Sequence, residues 1–174
     1  MEDLRFLNDI SWREVFSAWR DQESMLPKWI EHYTQRGFHS WDSWRNSSVE
    51  VLHPENLSWK LYEITDPVKT VPNFYIGPFR SWIKKYSIAK PTTFHELVEH
   101  QQFQEEKKTG PFPEATMLVG LQNEGRIIII EGVHRCCALA VAQKQNISIK
   151  LKVFLACADF KDELPQLGQE GSPT

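Results

Sequence analysis

The chain has 174 residues, 41% of them hydrophobic and 25% charged, the composition of a globular domain long enough to bury a core. Its 20 Lys and Arg against 23 Asp and Glu give a net charge of -3, so no global excess of positive charge directs it to nucleic acid or an anionic membrane. No apolar run reaches the roughly 18 residues of a spanning helix, and the acidic start at Glu2 and Asp3 does not resemble a signal peptide. The expectation is a soluble cytoplasmic protein whose three cysteines, Cys136, Cys137 and Cys157, are reduced thiols.

All seven tryptophans lie in the first half of the chain and the longest aliphatic runs in the second. In residues 9–20, Trp12, Val15, Phe16 and Trp19 fall at i, i+3, i+4 and i+7 and line one helical face. A second helix is expected over 27–36, with Pro27 in its first turn and Gly37 past its end. The polar, aromatic stretch 38–48 reads as a connection. Short strands are expected at 49–52 and 59–64, mostly loop over 66–78, and a short helix over 78–86.

Thr93 and Glu96 form a capping box opening a helix to about Lys107, which Gly-Pro-Phe-Pro at 110–113 stops. Residues 116–121 and 126–130 read as a hairpin around Gln-Asn-Glu-Gly, the second strand carrying four consecutive isoleucines and hence buried on both faces. An Ala-rich helix over 133–143 and a strand over 147–155 follow, and residues 163–174 have the composition of a frayed tail. No internal repeat is present.

The densest chemistry is the run 127–140, Ile-Ile-Ile-Ile-Glu-Gly-Val-His-Arg-Cys-Cys-Ala-Leu-Ala. It puts Glu131, His134 and Arg135 at the turn from a strand into a helix, whose N-terminal N–H groups favour anions. Gly132 would permit close backbone approach, Arg135 a bidentate grip on phosphate, His134 a donor or proton carrier, and Glu131 a cation ligand or base. A plain strand-turn-helix corner with polar residues facing water has about the same weight on spacing alone.

The order hairpin, Glu131-Gly132-Val133-His134-Arg135, Ala-rich helix, closing strand resembles the superfamily of ParB-type CTPases, sulfiredoxins and free-serine kinases. The resemblance covers residues 116–155 and extends toward Val49. It implies an α+β fold over 49–157 and does not cover residues 1–48, which read as a Trp-rich helical extension, while 158–174 read as a flexible tail. It further implies Gly132, His134 and Arg135 as phosphate-binding positions, Glu131 and His134 as catalytic, Glu131 as a Mg²⁺ ligand, and ATP, ADP or CTP with Mg²⁺ as cofactors. A small-molecule phosphotransferase or nucleotide hydrolase follows from it. Val133 stands where a sulfiredoxin has its Cys, which argues against sulfinic-acid reduction; the Arg-rich upstream box and helix-turn-helix of a partition protein are also missing. Glu55, Glu63 and Asp66 are candidates for a separate catalytic carboxylate, with nothing to choose among them. The alternatives are a non-catalytic ligand- or nucleic-acid-binding module, or an accessory protein that docks through its Trp-rich helices or self-associates.

Other signals carry plainer readings. His95 and His100 are five residues apart, about 140° around a helix, so they do not make the paired zinc ligands of an H-E-x-x-H helix. Arg80, Lys84, Lys85 and Lys90, interleaved with Phe79, Trp82 and Tyr86, form a local basic cluster that reads first as a solvated helix face and second as a phosphate- or base-binding surface. The Trp12 to Trp19 stripe reads as core before partner surface, and Cys136 and Cys137 as buried small side chains before reactive thiols.

Overall fold

The computed structural model describes residues 3–105 and 113–168. Six strands form one mixed open sheet: β1 (Leu4–Ile10), β2 (Trp59–Ile64), β3 (Tyr75–Ile76), β4 (Ala115–Asn123), β5 (Arg126–Glu131) and β6 (Lys152–Asp159), in the spatial order β1-β2-β6-β4-β5-β3. β4 with β6 and β3 with β5 are parallel, and the other pairs are antiparallel. The chain is therefore α+β. Among the described residues no helix is long and apolar enough to cross a membrane.

Strand alternation sends side chains into two cores. Val153, Leu155 and Cys157 of β6, with Ile127 and Ile129 of β5, face a layer containing α6 (Phe94–Glu99) and α8 (Val133–Lys144). Ala156 and Ala158, with Met117, Val119, Leu121 and Ile130, face α1 (Trp12–Glu23) and α3 (Trp41–Val49). The isoleucine strand is buried on both faces for this reason. Every tryptophan except Trp82 packs on the second side, where Ala156 and Ala158 leave room for indoles. The stripe Val15, Phe16, Trp19 is core.

α1 begins with a Ser11–Glu14 capping box, and α6 with the expected Thr93–Glu96 box. The helix expected to run to Lys107 breaks at His100, whose ψ of 132° ends α6, and resumes as α7 (Gln101–Glu105); Lys107 and residues 110–112 lie outside the described residues. α2 (Pro27–Gln35), α5 (Arg80–Tyr86) and α8 lie where periodicity places them. The hairpin turn tightens to Glu124 and Gly125, both at positive φ (50° and 76°), as a two-residue turn requires.

Five local expectations change. The first 48 residues are not wholly helical, because β1 pairs with β2 as an edge strand; exposed along most of its length, it lacks the alternation that reveals a half-buried strand. Residues 38–48, expected as a connection, contain α3, capped by Ser40 and held by buried Trp41 and Trp44; residues 49–52 end it in a 3₁₀ turn rather than forming a strand. The expected loop at 66–78 contains α4 (Pro67–Thr70) and β3. The last strand starts at Lys152 and not near 147, because Asn146 turns at φ 53° and Ile147 N–H bonds back to Ala142.

The C-terminal segment also differs from a frayed tail as far as Gly168. Leu167 is fully buried, its N–H donates to Pro78 O, and its carbonyl accepts from Arg80 N–H. Residues 169–174 lie outside the described residues.

Candidate functional site

The site begins where β4 and β5 part. Their last pair is Val119 with Glu131, next to an irregularity at Val119 and Gly120, so Thr116 and Met117 have no partner on β5. Gly132 then turns the chain into α8 at φ +99°, and a Cβ there would run into Leu118 Cδ2. The glycine is required by backbone conformation and packing.

Gln22, on the last turn of α1, fills the gap. Its Oε1 accepts from Met117 N–H at 2.8 Å, Thr116 Oγ1 at 2.9 Å and Arg135 Nη1 at 3.0 Å, while its Nε2 donates to Met117 O at 3.2 Å. Arg135 Nη1 also donates to Thr116 Oγ1 and, at 3.2 Å, to Met117 O, and its Nη2 is paired with Glu131 Oε1. Glu131 is buried, and its Oε2 has no hydrogen-bond partner among the described residues. Desolvation pushes its carboxyl above the usual carboxylate range; Arg135 opposes this, and the Glu23 charge adds to it.

Glu23 is buried beside this cluster. Its Oε1 accepts from Trp41 Nε1 at 2.9 Å and from Arg45 Nε at 2.5 Å. The Arg45 guanidinium lies 3.8 Å from the Trp44 ring centroid and about 5 Å from those of Trp19 and Trp29, so the charge under the tryptophan layer is balanced internally.

His134 points elsewhere. Consecutive helical residues are about 100° apart, and while Arg135 reaches toward α1, His134 is exposed and packs on Trp82 of α5 with ring centroids 5.2 Å apart. An open cleft of about 180 Å³ between α5 and α8 is lined by Ser81, Trp82, Lys85, Tyr86, His134 and Cys137, with Phe103 at one side. Two segments that the sequence suggested separately, the basic aromatic stretch and the first turn of the Ala-rich helix, thus share one cleft.

Glu131, Gly132 and Arg135 therefore come together on the α1 side, and His134 joins α5. The donor set does not fit magnesium at Glu131: one oxygen is held by a guanidinium, and the other is sealed from solvent. No group of three His, Cys, Asp or Glu able to hold a metal occurs among the described residues. Glu55, Glu63 and Asp66 are spent on other contacts, near His53, with Arg5 and as the cap of α4 respectively. Lys90 sits 3.6 Å from Glu96, and Glu99 2.7 Å from Lys144. All three cysteines are buried, and burial pushes the Cys137 and Cys157 thiols up to about 12.

Gln22, Thr116, Glu23 and Arg45 were not legible as site residues. Each is a common polar residue without a motif, and only the packing of α1 and α3 on the sheet brings them together. Comparison with family models, with curated proteins and with solved structures gives no match for this chain.

Proposed function

We propose that this chain is a phosphate-binding protein of the ParB and sulfiredoxin type, which holds a phosphorylated small molecule, a nucleotide among the candidates, at the first turn of α8. The observation that carries this reading is the packing of His134 against Trp82 in the α5–α8 cleft. The cleft combines hydroxyl, ammonium and imidazole groups from Ser81, Lys85 and His134 with the ring faces of Trp82 and Tyr86. Such a set suits an anionic group joined to a flat ring, the anion taking the donors and the ring the aromatic wall. The succession of hairpin, Glu131 to Arg135, Ala-rich helix and closing strand supports the family reading.

The reading is one of binding. Glu131 is unsuited to magnesium, so no phosphoryl-transfer step is assigned to it. The test is a thermal-shift panel of ATP, ADP, CTP, GTP and inorganic phosphate, each with and without Mg²⁺, since a ligand that binds only the folded state raises Tm. A shift with at least one of them that is lost in His134→Ala and Lys85→Ala is expected. Absence of any shift, or one unchanged in both variants, overturns the reading.

A further inference from the structure

α1 and α3 each bury at least three side chains on the tryptophan side of the sheet, whereas α2 buries none. Its half-buried Trp29, His32 and Tyr33 hold it in place. The His32 imidazole sits against two indoles, with ring centroids 5.2 Å from Trp44 of α3 and 5.7 Å from Trp29 one turn earlier. These indoles already carry cations. The Arg45 guanidinium lies 3.8 Å from the Trp44 centroid and 5.1 Å from that of Trp29, and Lys28 Nζ lies 4.9 Å from Trp29. Arg36, the C-capping residue of α2, is half-buried one turn after His32.

The carboxylates of the elements around His32 are engaged elsewhere. Glu23 of α1 accepts from Arg45 and Trp41, Asp42 of α3 from Arg20, and Glu31 of α2 itself from Gln35. A proton on His32 therefore adds a positive charge beside Arg36 and Arg45 that none of these carboxylates offsets, and the indoles that would attract it are already shared with Arg45 and Lys28. The C-terminal end of a helix favours positive charge, and here the capping Arg36 already supplies one.

We propose that α2 is an acid-released flap: protonation of His32 undocks it from α3 and uncovers Trp29 and Trp44, while the sheet and α8 stay folded. The links at its two ends suit such a motion. Met25 and Leu26 before it are 82% and 42% exposed, and Gly37 after it is an exposed glycine at φ 81°. Burial, with the Arg36 and Arg45 charges, holds the His32 imidazole below its ordinary value of 6.5. The docked form thus has its full stability above that value and loses it as the pH falls through the lowered one. The flap lies across the sheet from the α5–α8 cleft and depends on no ligand there.

Hydrogen exchange of the full chain, followed by mass spectrometry at pH 7.5 and pH 5 and corrected for the intrinsic pH dependence of exchange, tests this. In the wild type, protection of residues 27–36 is expected to drop several-fold at pH 5 and to recover on return to pH 7.5, while protection of α8 is unchanged. His32→Phe keeps a ring against Trp29 and Trp44 but takes up no proton, and is expected to hold the same protection at both pH values. His32→Gln, neutral throughout, serves the same purpose should the phenylalanine variant fold poorly, and circular dichroism melts establish folding. Equal wild-type protection of 27–36 at the two pH values overturns the flap. A drop that persists in the folded His32 variants, or one that α8 shares, overturns it as well.

Discussion

Gln22 pairs with Met117 as one strand pairs with another: its side-chain oxygen accepts the Met117 N–H at 2.8 Å, and its side-chain nitrogen donates to the Met117 carbonyl at 3.2 Å. A helix thereby supplies the hydrogen bonds that β4 loses where β5 turns away at Glu131. Buried backbone groups need such partners, and without this amide the splayed end of the sheet would leave the Met117 N–H unpaired.

Gly132→Ala tests the turn that opens α8. The substitution combines a left-handed backbone with a Cβ driven into Leu118, and a cost of about 2–4 kcal/mol follows from strain and overpacking together. Urea unfolding measures it; a loss under about 0.5 kcal/mol would mean that the corner relaxes freely.

Glu131 makes stability depend on pH in a defined direction. Its folded-state pKa is raised, with burial as the main cause, so its contribution to stability is complete below the ordinary value of 4.5 and is lost as the pH rises toward the folded pKa. Glu131→Gln keeps the neutral form at every pH. Its Tm is expected to equal that of the wild type near pH 4 and to exceed it near pH 8. A difference that stays constant across this range would contradict the raised pKa.

Cys137 and Cys157, with thiols pushed up to about 12, carry almost no thiolate at neutral pH, and burial also pushes the fully buried Cys136 thiol well above its ordinary value. Ellman's reagent at pH 8 is expected to label none of the three in the native protein and all of them in guanidinium. Rapid labelling of the native protein would place a thiol at the surface.

Leu167 anchors the C-terminal segment at the start of α5. Leu167→Ala removes a fully buried side chain and is expected to cost about 2–4 kcal/mol. The bond from Arg80 N–H to Leu167 O ties this anchor to the helix that carries Ser81 and Trp82. The variant is therefore also expected to weaken any ligand bound in the α5–α8 cleft, read by the same thermal-shift panel.

Local patterns determined much of this chain. The period of Trp12 to Trp19 specified α1, the box at Thr93 and Glu96 opened α6, and the isoleucine run before Glu131-Gly132 marked a buried strand entering a helix. These signals sit within one or two turns of chain, where side-chain spacing and capping act directly. β1 left no such mark, because an exposed edge strand has no buried face to impose alternation. α3 was obscured by its Ser and Asn content and depends on burying Trp41 and Trp44 under the sheet. The roles of neighbouring site residues were likewise undecided by sequence. His134 and Arg135 are adjacent, yet one packs on Trp82 and the other reaches Gln22, 113 residues away in the chain. Only tertiary packing decides such a division, because helical geometry points consecutive side chains apart and the elements met on each side come from distant parts of the sequence.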